Sequence, residues 1–127
     1  MSETQPLGER ELDIMQELWK RGSATVGEVH AGLVAAGSDL AYNTVQTMLN
    51  RLEAKGIVER DATDRAHRYR PRLKQRTATV GAIRRLTRRW FEGSAEALAA
   101  RLVEHDLGDA ELERLQQLID ARRKGKK

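Results

Sequence analysis

The apolar residues of this chain fall into three short helical stripes followed directly by a pair of alternating segments, and few folds accommodate that order. Leu12, Met15, Leu18 and Trp19 recur at helical spacing, with Glu9, Glu11 and Asp13 in the first turn, where the helix dipole favours negative charge. They predict a first helix from Gly8 to Arg21, ended by Gly22. Thr25-Val26-Gly27-Glu28 is a capping box, and Val26, Val29 and Leu33 supply the buried stripe of a second helix running to about Ala36, before Gly37. In the third stretch, from Ala41 to Lys55, Val45, Met48, Leu49 and Leu52 share one face, and Gly56 is placed as the C-cap. Ala41 is a poor N-cap there, and Asp39 is the nearby residue able to compensate. Gly56 to Arg60 and Arg65 to Pro71 then alternate, with Ala62-Thr63-Asp64 as turn chemistry between them. Helix, helix, helix, hairpin is the order of a winged helix-turn-helix, with the hairpin as wing. The predicted fold is thus mainly α with a small β-hairpin.

Beyond Pro71 the helical period returns. Val80, Ile83, Leu86, Trp90 and Phe91 form one stripe, Leu98, Leu102 and Val103 a second, and Leu112, Leu115, Leu118 and Ile119 a third, with Gly93 and Gly108 as breaks. Helices this short cannot bury such stripes alone, so a second copy of the chain is the natural partner. The expected organisation is a winged helix over residues 1–73 and a helical dimerisation region over 74–127, with Ile83, Leu86, Trp90, Leu98, Leu102, Leu112, Leu115, Leu118 and Ile119 at the dimer interface. The basic stretch from Arg122 to Lys127 is expected to fray.

Charge is distributed as a nucleic-acid partner would require. Residues 41–90 hold 13 basic and 4 acidic side chains, net +9, while residues 1–40 are net −4 and residues 91–127 net −1. The exposed face of the third helix offers Asn43, Thr44, Gln46 and Thr47, short polar side chains able to read base edges. Asn and Gln suit adenine, and the Thr methyl suits thymine. With no Arg or Lys among the four, an A·T-rich site is expected. Tyr42 and Arg51 are placed nearer the phosphates, and Arg65, His67, Arg68 and Arg70 make the wing basic enough to grip the backbone. Period two puts Tyr69 on the opposite face from Arg68 and Arg70, directed inward. The helix face taken alone is equally a solvated surface; the basic wing tips the balance.

Other functions lack their residues. The chain has no cysteine, three scattered histidines, no phosphate-cradling glycine loop and no nucleophile elbow, so neither enzyme chemistry nor a cofactor or metal site is expected. Glu104, His105 and Asp106 are adjacent on a helix and diverge, which suits a solvated helix end better than metal binding. No apolar run spans a bilayer, and the first 20 residues mix apolar with acidic side chains; a cytoplasmic protein without membrane insertion is expected. A ligand-sensing winged-helix regulator and a winged-helix protein interaction module that leaves DNA alone remain open alternatives.

The segments from Leu7 to Trp19, from Ala41 to Leu52, Lys55-Gly56, Asp64 to Tyr69, and the tail from Leu102 to Ile119 together resemble the BlaI/MecI family of penicillinase repressors. That resemblance implies a homodimer on a palindromic operator in double-stranded DNA, repressing β-lactamase and penicillin-binding-protein genes, and a membrane metalloprotease receptor that triggers its inactivation. Copper-responsive relatives carry a cysteine-rich motif that this chain lacks. The family's inactivating cleavage falls at an Asn-Phe bond in the tail; the matching position here is Arg101-Leu102.

Overall fold

A computed structural model describes residues 6–63 and 65–125. The chain divides into two compact units, Met1–Ala82 and Ile83–Lys127. In the first, α1 (Glu9–Arg21), β1 (Ala24–Thr25), α2 (Val26–Ala35) and α3 (Tyr42–Ala54) precede the hairpin β2 (Val58–Asp61) and β3 (Arg68–Pro71). α4 (Gln75–Phe91), α5 (Ala95–His105) and α6 (Asp109–Gly125) follow. The three strands form an antiparallel sheet in the order β1-β3-β2.

The core of the first unit gathers one face from each element. Ile14, Met15 and Leu18 of α1 meet Val26, Val29 and Leu33 of α2 and Val45, Leu49 and Leu52 of α3, and Ala24, Leu40, Val58 and Tyr69 close the cluster. Ile14 replaces Leu12 in the stripe expected for α1, and Leu12 is exposed. The reason is angular: Ile14, Met15 and Leu18 share one face, and Leu12 lies around the helix from it. Trp19 packs at the edge of this cluster and donates its indole N–H to the Leu73 carbonyl at 2.9 Å.

The helix caps of α2 and α3 differ. Thr25 Oγ1 accepts from the Glu28 amide at 3.1 Å and Glu28 Oε1 from the Thr25 amide at 3.0 Å, the reciprocal capping box. Ala41 gives α3 no side-chain cap, and Asp39 does not compensate. Its carboxylate is drawn outward to Arg10 at 3.9 Å, while Ser38 Oγ takes the Leu40 amide at 3.1 Å. Glu11 joins α1 to α3: one oxygen accepts the Gly8 amide at 2.9 Å and the other Lys55 Nζ at 2.9 Å. These two hydrogen bonds hold its carboxyl below the usual range.

Two glycines are required where they stand. On α2, Gly32 faces the buried carboxylate of Glu17, which pairs with Lys20 and Arg21, and any Cβ there would collide with that carboxylate. At the end of α3, Gly56 adopts φ 79°, its amide donating to the Glu53 carbonyl and that of Ile57 to the Leu52 carbonyl, both at 2.9 Å. This is a Schellman closure, and it aims the chain into β2.

The strands are shorter than the alternation suggests, because pairing begins only at Val58 and resumes only at Arg68, leaving Arg65 and His67 in the wing loop. Asp61 opens that loop, its Oδ1 taking the amide and the hydroxyl of Thr63 at 3.0 and 2.8 Å. Asp64, expected in the turn, lies outside the described residues, as do residues 1–5 and 126–127. α6 continues to Gly125, so Arg122, Arg123 and Lys124 form its last turn. Cations are favourable there against the C-terminal end of the helix dipole.

In the second unit no residue of α5 or α6 is buried. Among the described residues, no helix is long and apolar enough to cross a membrane.

Gly56→Ala should lower stability by about 1–2 kcal/mol, the cost of the left-handed region for a residue with Cβ. Nothing lies within 4 Å of the added methyl, so the loss is a backbone effect. Denaturant unfolding measures it directly.

Candidate nucleic-acid interface

α3 is two-faced. Val45, Leu49 and Leu52 are fully buried, while Tyr42, Asn43, Thr44, Thr47, Asn50 and Arg51 are exposed and Gln46 is half-buried. The four residues expected to read bases therefore lie off the face of α3 that the core buries, Gln46 at its border. Asn43, Thr44, Thr47 and Arg51 line one shallow hollow together with Met48. Thr47 Oγ1 donates to the Asn43 carbonyl at 3.0 Å, so its hydroxyl proton is committed to the helix and its methyl and lone pairs are what it can offer a ligand.

A second cleft connects this helix to the wing. Tyr42 and Gln46 line it from α3, Thr25 and Val26 from the start of α2, and Arg65, Ala66, His67 and Tyr69 from the wing. Tyr42 stands 47% exposed at the first turn of α3, its ring meeting His30 edge to face with centroids 5.8 Å apart. His30 Nε2 donates to the Leu40 carbonyl at 3.0 Å and fastens the α2–α3 turn beside that ring.

Tyr69 points inward, as its place in the alternation predicts, and is 1% exposed. Its hydroxyl donates to Asn50 Oδ1 on α3 at 3.2 Å. Burial raises its pKa; the nearby Arg60 guanidinium acts in the opposite direction. Arg60, which sequence reasoning passed over, lies 3.5 Å from Glu53 of α3 and donates Nη1 to His67 Nδ1 at 3.4 Å. It couples β2, α3 and the wing loop. Nothing in the sequence marks it, since it is one more basic residue in a basic segment.

The basic wing residues differ in surroundings. Arg65 and His67 are exposed in the loop. Arg70 Nε donates to Glu59 Oε2 across the hairpin at 2.6 Å, a pairing that raises its pKa. Arg68 is half-buried, with Nη2 3.1 Å from Glu28 Oε1 and 3.3 Å from the Ser23 carbonyl.

The residues expected at a dimer interface lie on α4 to α6. Ile83, Leu86, Trp90, Leu102, Leu115, Leu118 and Ile119 are exposed, Trp90 at 75%, while Leu98 and Leu112 are half-buried. On α6, Leu115 and Leu118 line an open groove with Leu107, Glu111, Arg114 and Gln117. Arg101 is exposed on α5, 3.8 Å from Glu104, which also lies 3.7 Å from His105. Among the described residues no group of three or more His, Cys, Asp or Glu is arranged to hold a metal ion.

A model of the penicillinase repressor family matches residues 7–121. The chain belongs to the penicillinase repressor family. Members of that family are transcriptional repressors and not enzymes, and the winged helix is their DNA-binding domain. Over 72 residues the chain is 46% identical to a transcriptional regulator BlaI of Mycobacterium tuberculosis, an alignment covering 56% of this chain. That match spans about half the length of the M. tuberculosis protein, 51%. A penicillinase repressor of Bacillus licheniformis is 26% identical over 128 residues, covering 100% of this chain and 99% of that one. The solved monomeric form of B. licheniformis BlaI in complex with the blaP half-operator superposes with a TM-score of 0.52 at 30% identity, over 61% of this chain and 93% of that one.

Tyr69→Phe should keep the ring in the core but remove the donor to Asn50, costing about 1 kcal/mol. Tyr69→Ala, which empties the site, should cost roughly 3–5 kcal/mol. Equal losses in chemical denaturation would show that the hydroxyl, and not the ring, holds β3 to α3.

Proposed function

We propose that this chain represses transcription as a homodimer on a dyad-symmetric operator in double-stranded DNA, with α3 in the major groove and the wing on the adjacent backbone. The observation that carries this reading is the cleft lined both by the first turns of α3 and by the basic wing loop, with Tyr42, Gln46, Arg65 and His67 around it. Asn43, Thr44, Gln46 and Thr47 read base edges; Tyr42, Arg51 and the wing residues Arg65, His67 and Arg70 engage phosphates. The half-operator bound by the B. licheniformis relative supports DNA as the ligand of this surface.

Dimerisation is supported by the second unit. Its helices carry Ile83, Leu86, Trp90, Leu102, Leu115, Leu118 and Ile119 in the open, and no residue of α5 or α6 is buried. Apolar surface on this scale is stabilised by a partner, and a twofold copy of the same stripes supplies one. Two recognition helices related by a dyad call for half-sites about one helical turn, ~10 bp, apart. Holding two domains on one operator gains about a hundredfold or more in affinity over one. Loss of the dimer therefore relieves repression, with β-lactamase or cell-wall stress genes as targets. One route is cleavage between Arg101 and Leu102 by a membrane metalloprotease receptor, which requires local opening of α5 between the breaks at Gly93 and Gly108.

Charged substitutions at Leu115 and Leu118 should give monomers that bind the operator weakly, with the winged helix still folded. Sedimentation of the wild type as a monomer at micromolar concentration would remove the dimer from this reading.

Thr44→Ala and Gln46→Ala should relax sequence preference, each by about 1–3 kcal/mol of discrimination. Arg65→Ala should instead weaken binding to all sequences and flatten its salt dependence, because fewer counterions are released. Wild-type binding by all three variants would refute the assigned surface.

A further inference from the structure

Arg68 belongs to the wing strand, yet its side chain is spent on the segment that opens α2. Nη2 donates to Glu28 Oε1 at 3.1 Å and to the Ser23 carbonyl at 3.3 Å, and Nε donates to Ser23 Oγ at 3.3 Å. Glu28 Oε1 also accepts the Thr25 amide at 3.0 Å, closing the cap of α2. Thr25 in turn stands opposite Arg68 in the β1–β3 register. One carboxylate oxygen thus ties together the first turn of α2, the strand β1 and the wing strand β3.

We propose that Arg68 and Glu28 form a latch fixing the wing against the start of α2, so that Arg68 is a positioning residue for the wing and not itself a phosphate contact. The inference rests on the reading of the wing loop as a backbone-gripping element. A guanidinium has five N–H donors, and bidentate capture of phosphate uses two parallel ones on neighbouring nitrogens. With Nε and both Nη2 hydrogens committed, only Nη1 remains, and it offers no such pair. The latch also lies where it matters: Thr25 and Val26, from the start of α2, line the same cleft as Arg65 and His67. Releasing β3 from Thr25 and Glu28 would let the wing loop shift relative to the start of α2.

Electrostatics alone and the latch predict opposite signs for one substitution. Removing a carboxylate beside a DNA-binding face relieves repulsion and strengthens binding, whereas removing the partner of a latch weakens it. Glu28→Gln is suited to the question because the amide oxygen still accepts from the Thr25 backbone and preserves the cap, which a thermal melt verifies, while the negative charge that holds the Arg68 guanidinium is removed. The full chain, bound to a duplex that the wild type selects from a random-sequence pool, is titrated over a salt series. Glu28→Gln, Arg68→Met, the double variant and Arg65→Ala are compared with the wild type. The latch predicts that Glu28→Gln weakens binding roughly three- to tenfold with an unchanged salt slope, in keeping with loss of charge assistance from the hydrogen bond that Arg68 donates. It also predicts that the double variant binds no worse than Arg68→Met. Binding by Glu28→Gln as tight as or tighter than wild type would overturn it. So would a salt slope for Arg68→Met reduced by about one contact, the change expected of Arg65→Ala. Should Arg65→Ala itself leave affinity and slope untouched, the wing assignment fails; an effect of Arg65→Ala without one of Glu28→Gln removes the latch alone.

Discussion

Burial of Tyr69 is the contact that makes the hairpin and the three helices one structure. A two-stranded hairpin is marginal in water, and this one has only four residues in each strand. β3 gains its place by sending Tyr69 into the cluster formed by Ile14, Met15, Leu18, Val45, Leu49 and Leu52, and by pairing on its other edge with β1. The phenol then reaches Asn50 on α3. Because the same strand carries Arg68 and Arg70 on its other face, the ring that completes the core also fixes how the hairpin stands relative to α3. The candidate interface is therefore a by-product of core packing, and a change in the core is transmitted to it.

Much of this was legible because periodicity and capping act locally. The three helices, the Thr25–Glu28 box, the stop at Gly56 and the inward direction of Tyr69 each follow from residues a few positions apart. What escaped depends on contacts distant in sequence or on elements too short to have a period. β1 is two residues long, and Thr25 already reads as a cap, so nothing marks it as a strand until β3 lies beside it. The commitment of Arg68 to Ser23 and Glu28 spans 45 and 40 residues and leaves no local signature. Leu12 misled for a different reason: several near-helical stripes can be drawn through α1, and only the position of the neighbouring helices selects the one through Ile14.

The second unit shows the opposite relation between sequence and structure. Its three helices form at the predicted positions, but most of the residues in the stripes that identified them remain exposed in the single chain. For α1 to α3 the apolar pattern marks the face that the core buries; for α4 to α6 much of that pattern stays exposed. A division of labour follows from the physics: the first unit completes its own core, while the second leaves apolar side chains exposed.

The central claim is that two copies of the α3–wing surface act together on one stretch of DNA. Selection of duplexes from a random-sequence pool by the full-length protein, followed by sequencing of the bound fraction, tests it most directly. The account predicts enrichment of two inverted half-sites bearing A·T pairs, with centres about one helical turn, ~10 bp, apart. A bound pool with no enriched sequence, or one enriched for a single motif without a dyad, would contradict it.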